Sequence, residues 1–195
     1  MPLPTRIVRR LTDSAYGVRP LTGPDLAGPL LEQALSVFGA ALGYRRSHGR
    51  VTGLEHTLRR HATREGFRAF GAFDSADQLV GFSYGYTSQP GLWWREQIAP
   101  ALDQQQREHW LADAFELAEL HVHPAAQGNH LGSRLHDWLV RDLPHATALL
   151  SVMHRSLRAR ALYTSRGWQT LVQDLRFSTE PATPFSVLGL ELRDA

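Results

Sequence analysis

Residues 123–140, HPAAQGNHLGSRLHDWLV, hold a proline, two glycines four positions apart and then an apolar repeat at helical spacing. Pro124 offers no N–H to a β-ladder, so a strand running into it ends there. Gly128 and Gly132 leave the backbone bare of Cβ atoms, so a ligand can approach it closely. Leu131, Leu135, Trp138, Leu139 and Leu143 then share one face, which would pack a helix on a sheet and hold its first turn still. A strand, a glycine loop and a helix N-terminus in that order suit an anion. The first-turn N–H groups have no intrahelical partner, and the positive end of the helix dipole lies beside them. A pyrophosphate fits this arrangement best. The spacing is not G-x-G-x-x-G and no G-K-[ST] occurs, which argues against a dinucleotide fold and a Walker loop. On the glycines alone, an ordinary strand-to-helix turn without a ligand would look the same.

Working outward, the periodicity predicts a short strand at Arg6–Leu11. A helix is predicted over 24–42, with Leu26, Leu30, Leu31, Ala34, Leu35 and Phe38 on one side and Gly43 as its stop. A shorter polar helix follows at 52–64. The period then drops to two. Phe67–Phe73 and Gln78–Tyr86, joined by Asp74-Ser75-Ala76-Asp77, read as an aromatic-rich hairpin. Residues 89–113 read as a helical insert. Strands are predicted at 115–123, 147–153, 168–177 and 185–192, and helices at 130–143 and 156–166. The sum is an α/β fold around one mixed sheet, taken as a single domain over 1–195.

Composition excludes several alternatives. The chain has 195 residues, 43% hydrophobic and 21% charged, as expected for a globular domain with a full core. A formal charge of +2 with scattered arginines, and no aromatic-basic interleaving, argues against nucleic acid as partner. No apolar run approaches the roughly 20 residues of a membrane span. The N-terminal MPLPTRIVRRL lacks the apolar segment of a secretory signal, so a cytoplasmic protein is expected. The absence of cysteine removes disulfides, a Cys nucleophile and Cys-based zinc sites.

Two runs resemble one family. Glu119–Pro124 (ELHVHP) followed by Gln127–Leu135 (QGNHLGSRL) is similar to the acetyl-CoA motif of the GNAT superfamily of N-acetyltransferases. That motif is Gln/Arg-x-x-Gly-x-Gly/Ala after a strand ending in V-x-P. Gln127, Leu131 and Gly132 match, while His130 stands where the first Gly is usual. Ala159–Trp168 (ARALYTSRGW) resembles the family's A-x-x-L-Y-x-x-x-G-F/W segment, and Ser156 replaces the Asn that often opens that helix. The resemblance implies a mixed, mostly antiparallel sheet of about seven strands flanked by about four helices, with the insert at 89–113 added. It implies acetyl-CoA as cosubstrate and a small-molecule or peptide amine as acceptor.

It also implies a site. Gln127, Gly128, Asn129, His130, Leu131, Gly132 and Ser133 would hold the pyrophosphate, with Ser156 nearby. Backbone groups of Leu120, His121 and Val122 would hold the pantetheine and polarise the acetyl carbonyl. Tyr163 would protonate the departing thiolate, a task that a phenol of pKa about 10 suits; a ring merely packed under the sheet is the alternative. Glu119 or Glu116 would take the amine proton. Strand alternation puts positions three apart on opposite faces unless a bulge intervenes, so one of the two is expected to face the cleft. Trp93 and Trp94 would lie over the acceptor entrance, or else anchor the insert to the core or to a second subunit, which leaves a homodimer open. His121 and His123, two apart, invite a metal-hydrolase reading, but no third ligand is spaced beside them and no metal is expected. A GNAT-like module that binds acyl-CoA without turnover is the runner-up, kept open by His130 and Ser156.

Overall fold

A computed structural model describes residues 15–192. Its strands are β1 (Tyr16–Leu21), β2 (Arg68–Asp74), β3 (Leu79–Thr87), β4 (Ala114–Val122), β5 (Thr147–Met153), β6 (Gln169–Leu175) and β7 (Phe185–Glu191). The helices are α1 (Gly23–Ala27), α2 (Leu31–Leu42), α3 (Gly49–His61), α4 (Trp93–Ile98), α5 (Gln104–Trp110), α6 (Leu131–Val140) and α7 (Leu157–Thr164). The strands form one sheet in the order β1-β2-β3-β4-β5-β7-β6. Every neighbouring pair is antiparallel except β4 and β5.

That parallel pair sets the architecture. β4 and β5 are in register only from Ala114 opposite Thr147 to Glu116 opposite Leu149. Beyond Glu116 they diverge, and the sheet opens. Alternation along the strands separates two layers. Ala69, Phe73, Phe82, Tyr84 and Tyr86 pack under α1, α2 and α3. Phe70, Ala72, Phe115, Ala148 and Leu150 pack under α6 and α7 on the opposite face. The insert adds a third cluster, in which Ile98, Leu102, Trp110 and Leu111 cover Leu149, Phe185 and Val187. Leu149 alternates with Ala148 and Leu150, so the insert lies on the same side of the sheet as α1–α3.

The structure corrects several expectations. The helix expected over 24–42 is two helices. α1 ends at Gly28 (φ −120°), and a Cβ on Gly28 would sit 2.6 Å from the Pro24 carbonyl oxygen. The predicted stop at Gly43 is there, in the left-handed conformation (φ 75°) with its N–H bonded back into the helix. The helix expected at 52–64 starts earlier, at Gly49, with the His48 ring accepting from Arg50 N–H. The insert holds two helices, so there are seven among the described residues where about four and an insert were expected. The strand expected at Arg6–Leu11 lies outside the described residues, whereas β1 at Tyr16–Leu21 was not expected. β1 is an edge strand with no fully buried residue; only Tyr16 and Val18 alternate toward the core, too short an apolar period to single out. Among the described residues no helix is long and apolar enough to cross a membrane.

On α6 the buried stripe is Leu131, Leu135, His136 and Leu139, and Trp138 is 40% exposed, stacking on the rim of Phe70. His136 takes the buried place because both ring nitrogens are bonded. Its Nε2 accepts from the Trp168 indole N–H at 2.8 Å, and its Nδ1 pairs with Asp137 at 2.9 Å. A buried polar ring costs little when its hydrogen bonds are complete.

Candidate active site

A cleft of about 1660 Å³ runs through the opening between β4 and β5. It is lined by residues of both layers, from α6 and α7 on one face of the sheet and from α2, α3 and the insert on the other.

The α6 end begins where β4 stops. Pro124 opens a short 3-10 turn (Pro124–Ala126), and the His123 ring caps it by accepting from Ala125 N–H. His123 thus lies just past the end of β4, and of the two histidines only His121 lines the cleft. Gly128 (φ 84°) and His130 (φ 57°) are both left-handed, and His130 is the N-cap of α6 without a side-chain cap bond. His130 therefore occupies a conformation that glycine takes without strain, which is physically why a glycine is usual there. The Gln127 amide donates to the Val122 carbonyl at 3.1 Å, and its oxygen accepts from Arg158 at 2.9 Å. A Cβ on Gly132 would be in ordinary contact with Leu162 at 3.8 Å and Leu120 at 4.0 Å, without a clash. Gln127, Gly128, His130, Leu131, Gly132, Ser133 and Ser156 all line the cleft, as do Leu120, His121 and Val122. Asn129 does not; its carboxamide turns back to the carbonyls of Ala126 and Gln127. Bare backbone, unbonded first-turn N–H groups and a nearby guanidinium fit a phosphate-bearing ligand.

At the other end the strand register decides which carboxylates meet. Tyr84 pairs with Glu119, but the next residue, Gly85, pairs with Leu117, so β4 carries one extra residue. This bulge reverses the alternation and puts both Glu116 and Glu119 on the cleft side, where one had been expected. Gly85 makes the bulge feasible, since a Cβ there would lie 2.4 Å from the Glu116 carbonyl oxygen and from the Phe115 ring.

The two carboxylates then differ. Glu119 Oε2 is 2.6 Å from His121 Nε2. Glu116 is 3% exposed, accepts from the Tyr86 hydroxyl at 2.5 Å through Oε1, and among the described residues has no partner for Oε2. Burial pushes its pKa up to about 7, partly offset by the Tyr86 bond and the positive charge of Arg64. A buried carboxylate with one free oxygen and such a pKa is suited to accept a proton near neutral pH. Tyr163 lines the same cleft, its ring packed edge-on against Trp168 at 5.6 Å. Burial, and then Glu119, hold its phenol pKa above the usual value, so it stays protonated.

The insert also lines the cleft, through Trp93 and Trp94. The Trp94 indole donates to Ser151 Oγ at 3.1 Å, while Trp93 is 48% exposed and packs on Phe177 at 5.6 Å. Sequence reasoning missed the arginines. Arg50, Arg60 and Arg64 on or beside α3, and Arg155 and Arg158 at the start of α7, also line it. The signal was present in the spacing of Arg50, Thr57, Arg60 and Arg64, which falls on one helical face.

A model of the acetyltransferase (GNAT) family matches residues 42–168. A GCN5-like protein acetyltransferase of Mycobacterium tuberculosis is 32% identical over 125 residues, covering 58% of this chain and 59% of that protein. The chain thus spans about three fifths of the length of that relative. Among solved structures, the ribosomal-protein-S18-alanine N-acetyltransferase from Escherichia coli superposes with a TM-score of 0.62 at 18% identity, over 92% of this chain and 96% of that one. An acetyltransferase from Thermus thermophilus does so with a TM-score of 0.58 at 16% identity, over 91% and 97%. At these identities the likeness is one of fold.

Proposed function

Because the chain belongs to the GNAT family of acetyltransferases, and is an acyltransferase by that membership, we propose that it moves an acetyl group from acetyl-CoA to a primary amine by direct attack on the thioester. The observation that carries the reading is the single cleft through the sheet. A phosphate-suited loop and a buried carboxylate with an unpartnered oxygen both line it. Donor and acceptor would enter from opposite faces and meet where β4 and β5 part, which supplies proximity without a covalent enzyme intermediate.

In this reading the N–H groups of 128–133 bind the pyrophosphate and Gly132 gives it room. The strand edge at Leu120–Val122 has no β5 partner, so its backbone is available to the pantetheine and to the acetyl carbonyl. Glu116, directly or through one water, takes a proton from the ammonium so that a neutral nitrogen attacks the carbonyl carbon. As the C–N bond forms, the C–S bond breaks, and Tyr163 gives its proton to the thiolate. Glu116 is preferred to Glu119 as base because its Oε2 is uncommitted, whereas Glu119 is held by His121. The continuous sheet supports reading the chain as one catalytic domain.

Release of free CoA from acetyl-CoA, measured against a panel of amines, tests the proposal. Amine-dependent release is expected; release that is absent with every amine, or equal with and without amine, would defeat it.

A further inference from the structure

The acceptor end of the cleft holds positive charge that acetyl transfer does not require. α3 and the residues after it turn Arg50, Thr57, Arg60, His61 and Arg64 toward the cleft. Arg50 is committed, paired with Glu180 and bonded to the Tyr44 hydroxyl at 3.2 Å. Among the described residues, neither Arg60 nor Arg64 has a carboxylate within ion-pair distance. The Arg64 guanidinium lies 4.4 Å from the centre of the Tyr86 ring, and the hydroxyl of that ring donates to Glu116. One phenol ring therefore separates a guanidinium with no ion pair among the described residues from the carboxylate with the unpartnered oxygen. The field is felt locally: His61 is pushed down to about 3, by burial first and then by Arg64 and Arg60.

An amine reaches an enzyme mostly as ammonium, and two unpaired guanidinium groups beside its destination repel it. The repulsion becomes attraction when the acceptor carries its own anion. Arginine binds a carboxylate in a planar, two-bond geometry, and does so more strongly in a partly dry site. A polyamine brings only further positive charge. Building on the transfer reading above, we propose that the acceptor is an amine carrying a carboxylate a few bonds from its nitrogen, bound by Arg64 with Arg60 so that the amine faces Glu116. The phosphate loop has a cation of its own, Arg158 bonded to Gln127, so CoA need not draw on Arg60 or Arg64.

Amine-dependent CoA release should be compared for free amino acids, their α-amides, amidated dipeptides beginning with Glu or Ser, and spermidine. Carboxylate-bearing amines should exceed their neutral counterparts in kcat/KM by about ten- to a hundredfold, the range for one charged hydrogen-bonded contact. The free acids and the Glu dipeptide separate an α-carboxylate from a side-chain one. Arg64→Ala and Arg64→Gln should erase that preference through KM, while CoA affinity by calorimetry stays unchanged and certifies the fold. If amides or spermidine match the acids, or if the preference survives both variants, the proposal is overturned and acetyl transfer still stands. If no amine releases CoA, the transfer reading fails and this one with it.

Discussion

At the scale of single residues, the candidate site was half legible. Tyr163 and the 127–133 loop stood out because a side chain or a missing one was tied to its neighbours by motif spacing. Asn129 shows the limit, since its carboxamide bonds its own loop and the sequence gives no sign of that. Glu116 and Glu119 could not be ranked from sequence, because burial and partner bonds distinguish them and both arise from distant strands. Tyr163 yields the prediction that belongs at this scale. Tyr163→Phe keeps the ring packed against Trp168 and removes only the hydroxyl proposed to donate the proton. Its kcat should fall about 10²- to 10⁴-fold with CoA affinity nearly unchanged, the range for losing a positioned acid. A variant with wild-type kcat across pH would return Tyr163 to packing.

Elements were legible where their apolar period was long and illegible where geometry overrode it. The hairpin of β2 and β3, and β5, fell close to where alternation put them. The break between α1 and α2 and the bulge in β4 did not, because each depends on a close backbone approach that a lone glycine permits. Both glycine effects can be measured. Gly85→Val would drive a side chain into the Glu116 carbonyl and the Phe115 ring. Overpacking of this kind costs about 1–3 kcal/mol, so denaturant unfolding should show a loss of that order, and an unchanged midpoint would mean that the bulge tolerates a side chain. Gly132→Phe differs, because its Cβ meets nothing nearer than Leu162 at 3.8 Å, an ordinary contact, on the wall of the cleft. It should fold normally and weaken CoA binding at least about tenfold by steric exclusion. Unchanged calorimetric affinity would place the pyrophosphate elsewhere.

For the whole molecule, function follows from a sheet that is closed at one end and split at the other. The short β4–β5 pairing makes the split, α6 and the insert both line it, and the bulge turns a buried carboxylate into it. The sequence carried the element order and the loop, but the split is a long-range relation between two strands, so only the structure displays it. The central claim is that Glu116 in that split is the base. Its pKa of about 7 lies above the ordinary 4.5, so its deprotonated fraction grows as pH rises through 7. The same shift means that stability falls as pH climbs from 4.5 through 7, and Glu116→Gln should remove that dependence. The most direct measurement is the pH profile of kcat/KM for acetyl transfer in the native enzyme and in Glu116→Gln. The account predicts a native limb that rises up to about tenfold per pH unit and levels above pH 7. In Glu116→Gln that limb should be absent and the rate reduced about 10²- to 10⁴-fold. An identical rising limb in the variant, at near-native rate, would contradict the account.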